Sequence, residues 1–192
     1  MAKTDPEAAR RRRHKTIRWV VTVFLITVVI SGIISLVSDE VMDSSSLPVA
    51  FLILLAIVMV GIIFDIIGMA VASADEKPFH SMAARKVPGS QEAIRLLRNA
   101  ERVSSICNDV VGDICGVVSG SASATIAALI LTQVDVGWPR GVSLVMSALV
   151  AGLTVGGKAI GKTFAVNSCT QIVHMVGKVL HALNGLHGKK KK

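Results

Sequence analysis

Four stretches of the chain are apolar almost without interruption, and polar or charged residues collect in short blocks between them. They run from Trp19 to Val37, from Pro48 to Ser73, from Ser104 to Gln133 and from Val142 to Val166. A helix of about twenty residues rises about 30 Å, the thickness of a bilayer's hydrocarbon core, so each stretch predicts a transmembrane helix. Residues 75–103 follow a different pattern. They are polar and basic, Pro88-Gly89 interrupts them, and Ser90 offers an N-cap to an amphipathic helix carrying Ile94, Leu97 and Val103. This predicts a helical hairpin at the membrane surface. After the fourth span, residues 167–185 place Ile172, Val173, Val176, Val179, Leu180 and Leu183 on one face, the mark of an interfacial helix. The expected fold is therefore an all-α integral membrane protein with four transmembrane helices, a cytoplasmic helical hairpin and a C-terminal juxtamembrane amphipathic helix. The first span, 19–37, is longer than a secretory hydrophobic region and has no A-x-A cleavage signal, so it reads as a retained anchor.

Composition agrees with this picture: 52% of the 192 residues are hydrophobic, 18% are charged, and mean hydropathy is +0.61. The net charge of +8 is concentrated in a basic N-terminal segment, 1–18, which holds Arg10 to Lys15, and in a basic tail, 186–192, which ends in Lys189 to Lys192. Both lie close to hydrophobic segments and neither comes with an aromatic platform for stacking bases. They predict anchoring to anionic lipid and no nucleic-acid partner. The two ends and the 75–103 loop carry most of the Lys and Arg, which places both termini in the cytoplasm of a multi-pass plasma (inner) membrane protein. Cys107, Cys115 and Cys169 are odd in number and give no disulfide framework.

Residues 156–163, GGKAIGKT, satisfy the phosphate-loop pattern G-x-x-x-x-G-K-[ST]. A phosphate loop needs a buried strand before it and a nucleotide-binding domain around it, and this stretch instead continues an apolar helical run. No nucleotide partner is expected. The glycines suit helix packing better: Gly112, Gly116 and Gly120 in the third span, and Gly152 and Gly156 in the fourth, recur every fourth residue and predict close approach of those helices.

Ionisable residues inside a span are expensive and mark functional candidates. Asp65 lies 17 residues after Pro48 and Lys158 lies 16 after Val142, both about 25 Å along their helices. Asp113, nine residues into the third span, reaches a similar level from the other side. These side chains predict a mixed-charge cluster in which a carboxylate is compensated by the Lys158 ammonium. Asp65, Asn108, Asp109 and Asp113 also supply hard oxygen ligands suited to Mg²⁺ or Na⁺.

At these residues the chain resembles the membrane domain of the CNNM/CorC magnesium-transporter family. That domain has a span with the motif F-S-x-x-E-x-A-L, a helical hairpin, a span opening G-N-x-x-x-N, and a span ending G-E-x-x-P-K before a juxtamembrane helix. The corresponding stretches here are Phe64 to Val71, GSQEAIRLLRNAERV, Cys107 to Gly112, and Gly157 to Lys162, so the likeness covers residues 48–185. Asn108 and Lys162 match the motifs directly. Asp65 stands where the family has its ion-coordinating Ser, Gly68 where it has its first acid, Gly112 where it has its second Asn, Lys158 where it has Glu, and Gly161 where it has Pro. The family's CBS domains have no counterpart in these residues.

The resemblance implies a homodimer and cation transport, linked to Mg²⁺ or Na⁺, with Lys162 and Lys158 as compensating or coupling charges. The exchange of Glu for Lys158 opens an alternative. The ammonium then occupies the cation's place, and the protein is a non-transporting scaffold or complex subunit. An enzyme is not expected: His14, His80, His174, His181 and His187 are scattered, and no nucleophile pairs with a base. His174 and His181 share a face and are expected to point toward solvent or headgroups.

Overall fold

A computed structural model describes residues 6–43, 45–133 and 137–188. These form α1 (Pro6–Asp43), α2 (Leu47–Ser73), α3 (Lys77–Ala84), α4 (Ser90–Arg98), α5 (Ala100–Ser105), a π-helical segment (Ile106–Gly112), α6 (Asp113–Gln133), α7 (Pro139–Asn167) and α8 (Cys169–Gly188), with no strand among the described residues. Four stretches, Ile17–Ser38, Leu47–Ser73, Ala100–Gln133 and Pro139–Asn167, are long and apolar enough to cross a membrane. The chain is an all-α integral membrane protein.

Several boundaries differ from the sequence reading. The basic segment and the anchor are not separate units, because α1 is continuous from Pro6 through Arg10 to Lys15 and on to Asp43. Arg and Lys are good helix formers, and nothing between Lys15 and Trp19 breaks the helix. The third span begins earlier than Ser104: α5, the π-helical segment and α6 run on as one 34-residue span from Ala100, so Val103 belongs to the span and not to the hairpin. The fourth span begins earlier than Val142: α7 starts at Pro139, in the first turn where proline's missing N–H costs nothing.

Three apolar clusters hold the bundle. Away from the hairpin, Ala50, Leu54 and Val58 of α2 meet Ala122 and Ile126 of α6 and Met146 and Val150 of α7. On the hairpin side, Val71, Phe79, Ala93, Leu97, Ala165 and Val173 join α2, α3, α4, α7 and α8 in one core. Along α6, Val110, Ile114 and Val118 receive Val23 from α1 and Ile57 from α2. No residue in the most apolar window of α1 is buried, which places α1 at the edge of the bundle against α6.

The hairpin is locked to α8 by two glycines. Gly89 occupies the N-cap position of α4 with φ +83°, a conformation that excludes most side chains. A β-carbon there would lie 2.5 Å from the backbone nitrogen of Lys178, and one on Gly177 would strike the Gly89 carbonyl oxygen. Ser90 is thus not the cap. It is buried in the first turn, and its hydroxyl donates to the Val87 carbonyl at 2.7 Å.

Helix α8 docks on α4, and two of its histidines, both at the exposed rim, reach across to the hairpin. His174 Nε2 donates to the Pro88 carbonyl at 3.3 Å, and His181 Nδ1 donates to Glu92 Oε1 at 3.0 Å. The His181 hydrogen bond holds the Glu92 carboxyl below its ordinary value of 4.5, against an opposing effect of burial.

Gly89→Ala is expected to lower stability by about 2 kcal/mol or more, the cost of a left-handed alanine plus the steric clash. Gly120→Ala, which meets open space, should be close to neutral when both are compared by thermal denaturation in detergent. Because the Glu92 carboxyl is depressed in the folded state, its stabilisation is complete above pH 4.5 and is lost as pH falls through the lower folded value. The melting-temperature gap between wild type and Glu92→Gln should accordingly be largest near neutral pH and shrink below pH 4.5. A gap independent of pH would remove this carboxylate from the docking interface.

Candidate functional site: a polar layer between three spans

The polar layer forms where α2, the π-helical segment and α7 meet. Asp65 Oδ1 of α2 lies 3.9 Å from Lys158 Nζ of α7, and the two side chains retain only 18% and 27% of their exposure. Gly112, which closes the π-helical segment, makes the space for them. A β-carbon at Gly112 would sit 3.4 Å from Lys158 Nζ and 3.9 Å from Asp65 Oδ1. A π-helical turn carries an extra residue, so it shifts the face that the following helix presents.

Asn108, in the same segment, sits beside Gly68 so closely that a β-carbon on Gly68 would collide with Asn108 Oδ1. Its Nδ2 donates to Ser104 Oγ at 3.3 Å, while Oδ1 is buried with no hydrogen-bond partner. A buried acceptor left unmatched costs on the order of 1–3 kcal/mol, so this oxygen is the least satisfied polar atom beside the layer.

Of the sequence candidates, Asp65, Lys158 and Gly112 come together here, with Asn108 one turn earlier in the π-helical segment against Gly68. Asp109 and Asp113 do not: both are exposed, Asp109 facing α1, and neither pairs with a cation among the described residues. Lys162 is exposed one helical turn beyond Lys158 and takes no part in the pair. The reason is helical phase. Positions 108 and 112 share the face turned to α2, whereas 109 and 113 are each rotated one residue further round.

Among the described residues no three His, Cys, Asp or Glu side chains gather so as to hold a metal ion. Asp65, Asp109 and Asp113 are therefore not gathered around one point, as the four-ligand set expected from the sequence would require.

The packing glycines also differ from those expected. Gly116, Gly120, Gly152 and Gly156 meet nothing within 4 Å. Close approach occurs instead on the faces of α2. Gly61 would place a β-carbon 2.9 Å from Cys115 Cβ, Gly157 lies against Ile62, and a β-carbon on Gly161 would lie 2.7 Å from Ile66. Gly157 and Gly161 have the same four-residue spacing as Gly152 and Gly156, five positions further along the helix. Only the partner helix distinguishes the two sets.

The GGKAIGKT stretch lies wholly inside α7. Its backbone amides are engaged in helical hydrogen bonds and form no open phosphate cradle.

Fold and site together define a four-span, all-α membrane protein whose polar layer contains an aspartate paired with a lysine. Comparison with protein-family models, curated proteins and solved structures finds no match to this chain.

The pair carries a direct prediction. Lys158→Met and Asp65→Asn should each destabilise the protein, Lys158→Met the more, because it strands a carboxylate in low dielectric. The double variant should recover part of the loss, giving a coupling energy of about 1 kcal/mol or more in a double-mutant cycle read by detergent denaturation. Strict additivity would show that the two charges do not interact.

Proposed function

We propose that this chain is a membrane protein of CNNM/CorC-like design in which the Lys158 ammonium takes the place of a bound cation, so that the protein serves as a non-transporting scaffold or complex subunit. The observation that carries this reading is the 3.9 Å approach of Lys158 Nζ to Asp65 Oδ1 at the level of Gly112. A tethered cation already neutralises the carboxylate that would otherwise attract an ion, and the remaining acids point elsewhere. The order of motifs along residues 48–185 supports the family reading, and with it a homodimer. The basic ends and the basic hairpin support a cytoplasmic location for both termini.

A second reading, cation transport, is favoured by the unpartnered Asn108 Oδ1 next to the pair. In that case Lys158 would be a coupling group that swings away when an ion arrives.

Titration calorimetry of the purified protein with Mg²⁺ distinguishes them. The unmodified chain is expected to bind no Mg²⁺ tightly, and Lys158→Glu combined with Asp65→Ser should create binding by restoring the family's ligand pattern. Tight binding by the unmodified chain overturns the tethered-cation reading, and Mg²⁺ or Na⁺ flux into proteoliposomes carrying the unmodified chain would establish transport.

A further inference from the structure

A second site lies on the opposite side of the π-helical segment, against α1. There a cleft of about 370 Å³ is lined by Trp19, Val20, Val23 and Phe24 of α1 and by Ser105 and Asp109 across from them. Its walls are apolar and aromatic except for one hydroxyl and one carboxylate. Asp109 is exposed within a membrane-spanning segment and pairs with no cation among the described residues.

We propose that this cleft binds an amphiphilic organic cation, a protonated amine with an alkyl or aryl body. Three features point to that chemistry. The first is the single carboxylate: one charge and one hydroxyl in otherwise apolar walls match a weakly hydrated ammonium with an apolar body better than a divalent ion that keeps its shell of waters. The second is the aromatic wall. The Trp19 ring is placed to hold a cation, since the Arg102 guanidinium lies 5.5 Å from its centroid, and a bound ammonium would displace that side chain from the electron-rich surface.

The third is depth. Trp19 and Phe24 are the third and eighth residues of the Ile17–Ser38 span, which puts the cleft within about 10 Å of that span's end. Amphiphiles settle there, with a charged head near the interface and an apolar body in the hydrocarbon. An anionic amphiphile would be repelled by Asp109. A volume near 370 Å³ suits a small single-chain or aryl amine.

The chain has two tryptophans, Trp19 and Trp138, so Trp138→Phe leaves a single fluorophore inside the cleft. The full chain bearing this change, in phosphatidylcholine nanodiscs, would be titrated with a nitroxide-bearing alkylammonium and with the neutral alcohol of the same skeleton. The ammonium is expected to quench Trp19 saturably at about one-tenth the concentration the alcohol needs, with unlabelled dodecylamine relieving the quenching. Asp109→Asn should erase that preference and Asp109→Glu should keep it, with unchanged helical circular dichroism showing that both variants fold. Relief of quenching in discs that include phosphatidylethanolamine would identify a lipid headgroup as the source of the same ammonium chemistry. Equal quenching by alcohol and ammonium overturns the proposal. So does an Asp109→Asn variant that keeps the preference, which would mean that Arg102 already satisfies the carboxylate.

Discussion

A buried charge inside a bilayer is costly unless the protein compensates it, because the hydrocarbon supplies neither water nor counter-ion. In this chain Lys158 and Asp65 neutralise each other from α7 and α2, and the third span passes beside them at a residue with no side chain. A larger residue at position 112 would press on both groups. Three helices are thus held to one relative depth and rotation by a single contact that tolerates little displacement. Asn108, one turn earlier in the π-helical segment, keeps a buried side-chain oxygen without a partner among the described residues.

Around that point α2 is the axis of the bundle. It offers Gly61 and Gly68 to the third span, and its Ile62 and Ile66 reach into Gly157 and Gly161 of α7. Lipid gives apolar side chains no reason to leave it for one another, so van der Waals fit between close backbones is what brings membrane helices together. The small residues and the charge pair therefore act in concert: the glycines bring the helices close enough for a 3.9 Å contact, and the contact sets the register in which the glycines meet their partners.

Outside the spans the logic is that of a water-soluble core. Phe79, Ala93, Leu97 and Val173 are buried together, and the Gly89–Gly177 crossing allows two backbones to touch where any side chain would hold them apart. Helix α8 follows α7 after Ser168 alone, so its docking on α4 ties the end of the fourth span back to the loop that joins the second and third. Movement of α7 at the polar layer would be felt at this junction.

Hydrophobic length determined the four spans, because a bilayer permits few alternatives to a helix of about twenty apolar residues, and amphipathic periodicity marked the hairpin and the final helix. Counting residues along each helix was also enough to bring Asp65 and Lys158 to one level. Rotation was decided only in the folded bundle. Asp109 and Asp113 carry the same charge as Asp65 at comparable depths yet face elsewhere, and Gly157 and Gly161 pack where Gly152 and Gly156 do not. A π-helical turn adds a residue without leaving a signature in composition, and a uniformly apolar helix has no polar face to announce which side meets its neighbours. Depth follows from rise per residue, which every helix shares, whereas facing depends on the particular surfaces that come into contact.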